Sequence, residues 1–337
     1  MSTANSYFIG QFPATRLRRH RRFEWMRQLV AETVLSTNDL IWPTFVREET
    51  LSPTIKGMPD IARFTIPELV EAAGKAQDLG IKVLALFPVI PVEKRCEQAR
   101  EALNPENILL QAIRALKKAY PHLGIISDPA LDSFTCHGHD GLIKGSDDVD
   151  NDETVQALCK HALLQAEAGA DIVAPSDMMD GRVGAIRHSL DTHGYQDIAI
   201  MSYAAKYASA FYSPFREALG SDQCLGVKNK KAYQMDPGNA REALREVALD
   251  ISEGADSVMI KPGLPYLDII HQVKQKFMVP TFAFHVSGEY AMLKAAAAQG
   301  MIDYEKTLLE VMVAFKRAGA DGILSYGACD VAKLLKK

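Results

Sequence analysis

A short pattern that occurs three times in the chain constrains its fold more than any other feature. The stretches read EAGADIVAPSD at 167–177, EGADSVMIKPG at 253–263 and RAGADGILSYG at 317–327. In each, the end of a helical pattern meets a Gly, which takes the left-handed conformation of a helix C-terminus without strain, and a short apolar run follows. Each repeat therefore predicts a junction between a helix and a buried strand.

The same reasoning extends to eight candidate strands, most of them separated by amphipathic helices. The strands are expected near 40–46, 82–88, 123–128, 171–175, 198–203, 257–261, 280–284 and 322–326, and the helices near 66–79, 104–120, 152–168, 237–254, 265–277 and 304–318. Apolar strands that alternate with helices require a parallel sheet covered on both faces. Eight such units predict an α/β fold, a closed (β/α)8 TIM barrel, and no GxGxxG or P-loop motif points to a nucleotide-binding sheet instead.

The composition excludes several classes of protein. The 337 residues are 47% hydrophobic and carry a formal net charge of −4, so a protein coated for nucleic acid is not expected. The longest apolar runs stop after about eight residues, well short of the roughly 20 that cross a bilayer. Five scattered cysteines without a CxxC pair argue against a disulfide framework. We therefore expect a cytoplasmic protein that binds neither membrane nor nucleic acid.

Residues 1–37 are expected to form an extended arm in front of a catalytic barrel at 38–337. Five arginines lie between Arg16 and Arg22, and no acidic side chain precedes them. This pattern also fits an organellar transit peptide or a nucleic-acid-binding arm. We favour an arm that packs on a neighbouring subunit, because the basic leader is short and runs directly into the structured-looking segment FEWMRQLVAETVL.

Two lysines end apolar strands that are consecutive along the chain. Lys206 closes IAIMSYAAK and Lys261 closes SVMIK, so both are placed at the mouth of the predicted barrel. Two nearby ammonium groups lower each other's pKa, and desolvation acts in the same direction. Because a neutral lysine attacks a carbonyl to form a Schiff base, these residues predict an imine-forming site. The alternative for either lysine alone is an ordinary solvated side chain.

Two long irregular stretches, 129–151 and 207–236, follow strands and so belong to the face of the barrel where active sites are built. The first concentrates Asp, Cys and His, which leaves a metal site or an ordinary polar loop as alternatives. The second carries Arg216, Lys230 and Lys231. If it folds over the mouth as a lid, these cations could hold a substrate carboxylate; solvated charges are the alternative.

Five longer motifs together carry a resemblance to a known family. They read GIISDPALDSFTCHGHDG, IVAPSDMMDGRVGAIR, MSYAAKYASAFYSPFREA, VMIKPGLPYLDII and HVSGEYAM. The chain resembles the porphobilinogen synthases, also called aminolevulinate dehydratases, from NDLIWPTFV to the C-terminus. The resemblance implies a (β/α)8 barrel with an arm that embraces a neighbouring subunit, and a homo-octamer. It also implies the condensation of two 5-aminolevulinate molecules to porphobilinogen with loss of two waters, in tetrapyrrole synthesis.

The resemblance also assigns roles to individual positions. Lys261 matches the Schiff-base lysine for the substrate that becomes the propionate side, and Lys206 matches the imine partner of the acetate-side substrate. The other matching positions are expected to bind substrate: Ser287 and Tyr326 the first carboxylate, Arg216, Lys230 and Gln234 the second, Asp128 and Ser176 the first amino group, and Tyr203, Phe211 and Tyr212 the pocket wall. No residue is assigned as the general base.

The expected cofactors follow from one departure from the family pattern. Zinc-dependent members carry three cysteines in the metal loop, and the matching positions here are Ala130, Asp132 and Asp140. Alanine cannot ligate and carboxylates favour hard ions, so no catalytic zinc is expected, while the aspartates remain candidate ligands for another ion, including a monovalent cation. Glu246 matches the acidic residue that binds an allosteric Mg²⁺ in such members; a helix glutamate forming a local pair is the alternative.

Two other functions compete with this interpretation. A Schiff-base class I aldolase-like lyase shares the barrel and the imine but uses one catalytic lysine, and the presence of both Lys206 and Lys261 argues against it. A non-catalytic barrel with a basic arm predicts salt-sensitive binding to acidic partners and no imine chemistry.

Overall fold

Two compact units, which divide between Val34 and Leu35, make up the chain. The computed structural model describes residues 10–143, 145, 148–220 and 229–336. The smaller unit contains a short 3-10 helix, Leu17–Arg21, and helix α1, Glu24–Leu29, and neither helix has a buried residue. Its exposed apolar side chains include Phe12, Leu17, Trp25, Leu29 and Val34. The described part of this unit therefore has no apolar core of its own.

The larger unit is built on a parallel sheet that closes on itself. Its strands are β1 (Leu40–Arg47), β2 (Arg63–Phe64), β3 (Val83–Val89), β4 (Gly124–Ser127), β5 (Ile172–Val173), β6 (Ala199–Lys206), β7 (Ser257–Lys261), β8 (Thr281–His285) and β9 (Gly322–Ser325). Neighbours pair in the order β2, β1, β3 to β9, and β1 also pairs with β9. Strand β2 only adds two residues beside the end of β1. The other eight strands form the closed barrel, which confirms the predicted (β/α)8 fold.

The described helices of this unit follow the strands, and one of them, at 213–219, contacts the barrel mouth. They are α2 (Ile66–Asp78), α3 (Ile108–Ala119), α4 (Asn151–Ala168), α5 (Arg182–Thr192), α6 (Ser213–Leu219), α7 (Arg241–Ser252), α8 (Leu267–Phe277), α9 (Ser287–Ala298), α10 (Tyr304–Ala318) and α11 (Ala328–Leu334). Six of them match predicted helices. Helix α3 starts four residues later than predicted because the side chain of Asn107 accepts a hydrogen bond from the Leu110 N–H and caps it there.

The threefold sequence pattern has a clear structural cause. The glycines have φ angles of 107°, 105° and 114° at the ends of α4, α7 and α10, as predicted. The Asp two residues later accepts a hydrogen bond from a backbone N–H group in the first two residues of a neighbouring strand. These pairs are Asp171 with Ile125, Asp256 with Ile200 and Asp321 with Thr281. Each repeat therefore ends a helix and also fixes the start of an adjacent strand.

The second of the two stretches predicted to be irregular, 207–236, contains regular structure. It includes a 3-10 helix, Ala210–Tyr212, and helix α6. Positions 221–228 of the lid predicted at 207–236 lie outside the described residues.

Within the part of the chain that the structure describes, no helix is long and apolar enough to cross a membrane.

Candidate active site

The two lysines lie side by side at the end of the barrel. Lys206 and Lys261 end β6 and β7, and their Cα atoms are paired partners in the ladder between these strands. Both side chains are buried, with residue exposures of 4% and 5%. The structure thus places both residues at the barrel mouth, as the sequence predicted.

Aromatic rings surround the ammonium group of Lys261. Its Nζ atom lies 4.6 to 5.3 Å from the ring centroids of four residues, namely Tyr203, Tyr212, Phe215 and Phe284. Burial and the nearby Lys206 charge lower the pKa of Lys261 to about 7. At neutral pH, a large fraction of this amine is therefore unprotonated and able to attack a carbonyl.

Lys206 is held by polar groups instead of rings. Its Nζ donates a hydrogen bond to the backbone oxygen of Ser176 and lies 3.7 Å from Oδ1 of Asp140. The backbone oxygen of Lys206 accepts a hydrogen bond from the backbone N–H of Met235, which belongs to the long stretch after β6. Lys206 is thus fixed at both its backbone and its side chain.

Two carboxylates near the lysines have opposite pKa directions. Burial raises the pKa of Asp128 to about 6, although its Oδ1 accepts hydrogen bonds from the backbone N–H groups of Ala130 and Ser176 at 3.0 and 3.2 Å. Burial would also raise the pKa of Asp140, but the Lys206 and Lys230 charges hold it below its ordinary value. Asp140 is therefore an anion in this site, and Asp128 can change its protonation state near neutral pH.

Lys230 reaches into the site from the stretch after β6. It is buried, and its Nζ lies 3.2 Å from Oδ1 of Asp140 and 3.3 Å from Oδ2 of Asp132. Burial acts to lower the pKa of Lys230, but these two carboxylates outweigh it and raise the pKa. Gln234 donates a long hydrogen bond, 3.5 Å, to Oδ2 of Asp140. The predicted carboxylate-binding Lys230 is therefore paired with carboxylates of the protein.

The two predicted hydroxyl ligands, Ser287 and Tyr326, follow β8 and β9. Ser287 is the first residue of α9, and its Oγ accepts a hydrogen bond from the Phe215 N–H at 3.0 Å and donates to the Phe211 oxygen at 3.4 Å. The Tyr326 ring stacks on Phe45 at 5.8 Å, and its buried hydroxyl has no hydrogen-bond partner among the described residues. This hydroxyl is available to bind a ligand.

Two small adjoining cavities of about 20 Å³ each lie between these groups. Both are lined by Asp132, Lys206, Phe215 and Lys261. Predicted residues divide between them: Asp128 and Ser176 line the first, and Tyr212, Arg216, Lys230 and Gln234 line the second. Neither cavity is lined by the other predicted substrate-binding residues, Tyr203, Phe211, Ser287 and Tyr326, or by Asp140.

Sequence reasoning missed two of the four aromatic residues around Lys261, Phe215 and Phe284, and also Phe87, which lines the first cavity. Phe284 could have been found, because it lies one residue before the end of β8, and the ends of the strands form the mouth where the site was predicted. Phe215 lies inside α6, and no local pattern indicates that its ring contacts Lys261.

The predicted metal positions lie in two places. Asp132 and Asp140 face the Lys230 ammonium, and among the described residues no group of three or more His, Cys, Asp or Glu is arranged to hold a metal ion. Glu246 lies on α7, where burial, with Asp250 next in effect, raises its pKa. It lines a different cavity of about 420 Å³ together with Asp148, Asp180, Asp236 and Glu242.

A closed parallel barrel with two buried lysines at one mouth defines a class of enzyme that forms imines with carbonyl substrates. The comparisons with known proteins identify the family. The family model described as "Delta-aminolevulinic acid dehydratase" matches residues 14–334. The chain belongs to this family.

Individual relatives agree with the family match. The delta-aminolevulinic acid dehydratase of Bradyrhizobium diazoefficiens is 54% identical over 96% of this chain and 91% of its own length. That of Rhodobacter capsulatus is 50% identical over 96% of this chain and 97% of its own length. A crystal structure of the Toxoplasma gondii enzyme, also named porphobilinogen synthase and bound to its reaction product porphobilinogen, has a TM-score of 0.93. It is 49% identical and covers 95% of this chain and 91% of its own.

Proposed function

We propose that this protein condenses two molecules of 5-aminolevulinate to porphobilinogen, with loss of two waters, through Schiff bases on Lys261 and Lys206. The observation that carries this proposal is the pairing of two buried lysines on neighbouring strands. A single-lysine aldolase does not require the second of these residues. Family membership and the product bound to the Toxoplasma relative support the same reaction.

Lys261 forms the first imine. Its amine attacks the ketone carbon of one substrate, water leaves, and the resulting imine acidifies the adjacent carbon so that a carbon–carbon bond can form. The lowered pKa supplies the neutral amine, and Ser287 and Tyr326 are proposed to hold this substrate's carboxylate. Asp128 and Ser176 are proposed to bind its amino group.

Lys206 forms the second imine and brings the other substrate against the first. The residues of the second cavity, Arg216, Lys230 and Gln234, are proposed to bind the second carboxylate. Because the two lysines have different surroundings, one ringed by aromatic groups and the other by polar groups, they distinguish two identical substrates. Holding the reacting carbons together supplies much of the rate enhancement.

Catalytic zinc has no place in this proposal. Ala130 cannot ligate, and the charges of Asp132 and Asp140 are offset by protein cations, Lys230 within 3.3 Å of both and Lys206 3.7 Å from Asp140. A monovalent cation near these aspartates stays a prediction.

An allosteric Mg²⁺ is proposed at Glu246. Asp180 and Glu242 share its cavity and raise its pKa by repulsion, so they supply the oxygen ligands that Mg²⁺ prefers, and they would have to move closer together to bind it because no three carboxylates are arranged as a metal site in the described residues. The ion would reduce this repulsion and act away from Lys206 and Lys261.

The arm is proposed to pack on a neighbouring subunit of a homo-octamer. The exposed apolar side chains of the smaller unit support this assignment, because such surface is normally covered in an assembly. Cytoplasmic localisation stays a prediction, since the relative from Selaginella martensii is named as chloroplastic and the two bacterial names give no compartment.

Borohydride trapping with 5-aminolevulinate, followed by peptide mapping, tests the proposed function. We expect adducts on Lys261 and Lys206, and porphobilinogen formation that survives removal of zinc by a chelator. The variant Lys261→Met should lose product formation, whereas Lys276→Met, a matched change on the outer helix α8, should retain it. Activity that returns only with Zn²⁺ would refute the zinc-independent mechanism, and absence of both adducts and product would refute the function.

A further inference from the structure

The position of Lys230 presents a conflict with its expected role. Its buried ammonium contacts Asp140 and Asp132 at 3.2 and 3.3 Å, so it is already neutralised by the protein. Asp140 also lies 3.7 Å from the ammonium of Lys206. A ligand carboxylate that reaches Lys230 in this arrangement would lie beside two carboxylates and be repelled.

The space available shows that something must move before a ligand enters. The cavity between Lys206, Lys230 and Arg216 has a volume of about 20 Å³, little more than one water requires. Lys230 is the residue best suited to leave, because its ammonium is carried on a flexible four-carbon stem. If it left alone, Asp132 and Asp140 would lose their nearest positive charge inside a buried site, which is strongly unfavourable.

The substrate carries the charges that resolve this conflict. In 5-aminolevulinate the ammonium group is on the carbon next to the ketone, and the carboxylate lies beyond two carbons on the other side. Once the ketone has reacted with Lys206, the ammonium is one carbon from the imine carbon. Asp140, 3.7 Å from the Lys206 nitrogen, is then within its reach.

We propose that Lys230 holds the place of the substrate's ammonium and exchanges with it: the incoming ammonium takes Asp132 and Asp140, and the released Lys230 takes the incoming carboxylate. This inference rests on the proposed function, since it requires imine formation at Lys206. It makes the Lys230 and aspartate cluster a specificity determinant that admits a ligand bearing both charges. A keto acid without the amine leaves either the aspartates or its own carboxylate unpaired.

Levulinate, which is 5-aminolevulinate without the amino group, is the probe that tests the exchange. Either ligand forms an imine with a lysine by loss of water, and borohydride reduces the imine to a stable secondary amine. Peptide mapping then gives the labelling of Lys206 relative to Lys261 in the same sample. We expect 5-aminolevulinate to exceed levulinate by at least about tenfold at Lys206, because an unpaired buried charge costs more than 1.4 kcal/mol.

Variants of the cluster should change this preference in opposite directions. Asp132→Asn removes one carboxylate that holds Lys230 and needs a cation, so the preference for the amine at Lys206 should fall severalfold. Lys230→Met leaves both aspartates without their cation, so the preference should increase. The matched control Asp197→Asn, which removes an exposed carboxylate, should leave it unchanged.

The outcomes separate the exchange from the function. Labelling of Lys206 by both ligands to the same extent, or a preference that is the same in all four proteins, would refute the exchange and leave the two-imine reaction intact. Absence of any adduct on either lysine would refute the reaction itself. Labelling of Lys261 in the same digest shows that each variant is folded, so a misfolded protein is not mistaken for either result.

Discussion

Replacing Lys206 should change the pH at which Lys261 reacts. The pKa of Lys261 is lowered from 10.5 to about 7, first by burial and second by the Lys206 charge. Lys206→Met removes the charge but keeps a chain of similar length, whereas Lys206→Arg keeps the charge and cannot form an imine. Both variants leave Lys261 as the one imine-forming lysine of the pair, so its titration can be followed alone.

The expected size of the effect follows from the strand geometry. The paired Cα atoms lie on neighbouring strands, roughly 5 Å apart. If the two ammonium groups have the same separation as their Cα atoms, they interact by about 3 kcal/mol at an effective dielectric constant of about 20, which corresponds to about two pH units. Because Asp140 offsets part of the Lys206 charge, we expect Lys206→Met to raise the pKa of Lys261 by about one, to about 8.

The sign of the change is fixed by which form reacts. Imine formation needs the neutral amine, so the rate of levulinate trapping at Lys261 should rise with pH through the pKa and then level off. At pH 7 the neutral fraction should fall from about one half in the native protein to about one tenth in Lys206→Met, a loss of about fivefold. Trapping rates measured between pH 5.5 and 9.5 give the midpoints. Equal midpoints for Lys206→Met and Lys206→Arg would refute the electrostatic coupling.

Three further substitutions test the packing around the site. A Cβ atom at Gly288 would lie 2.5 Å from the backbone oxygen of Phe211, so Gly288→Ala should lower the unfolding free energy by about 1–3 kcal/mol in urea titrations. The control Gly184→Ala, whose Cβ would have contacts of 3.4 Å or more, should not lower it. Arg182→Met, which leaves the buried Asp250 without its 3.3 Å ion-pair partner, should cost about 3–5 kcal/mol; a cost below 1 kcal/mol would contradict this. Tyr326→Phe removes a buried hydroxyl that has no partner among the described residues, so thermal stability should be unchanged or higher while KM for 5-aminolevulinate rises; an unchanged KM would exclude Tyr326 from binding.

Much of the barrel could be predicted because each strand is an apolar run bounded by local signals. The main error in length concerns 171–175, which is reduced to Ile172–Val173, although the Ala174 N–H still donates a hydrogen bond to the Ser127 oxygen of the neighbouring strand. The adjacency of Lys206 and Lys261 could also be predicted, because consecutive strands of a parallel barrel are neighbours in space. Here the order along the chain is sufficient to give the order in the sheet.

The contacts that adjust the chemistry could not be predicted in the same way. Lys230 meets Asp132 across 98 positions of sequence, and both belong to loops whose path depends on the whole assembled mouth. Similarly, the backbone N–H of Phe215 meets Ser287 across 72 positions. The residue types indicate that Lys230, Asp132 and Ser287 can bind a charge or form a hydrogen bond. They do not indicate which group of the protein each one contacts before a ligand binds.

The four rings around Lys261 have a consequence for every later intermediate. The negative faces of aromatic rings attract a cation regardless of whether it is an ammonium or a protonated imine. Burial therefore helps the attacking amine lose its proton, while the rings stabilise the positive charge that returns to the same nitrogen after the ketone has reacted. An aliphatic pocket would provide only the first effect. The buried site with its four rings, whose centroids lie 4.6 to 5.3 Å from the Lys261 Nζ, thus favours the neutral amine before the reaction and stabilises the protonated imine after it.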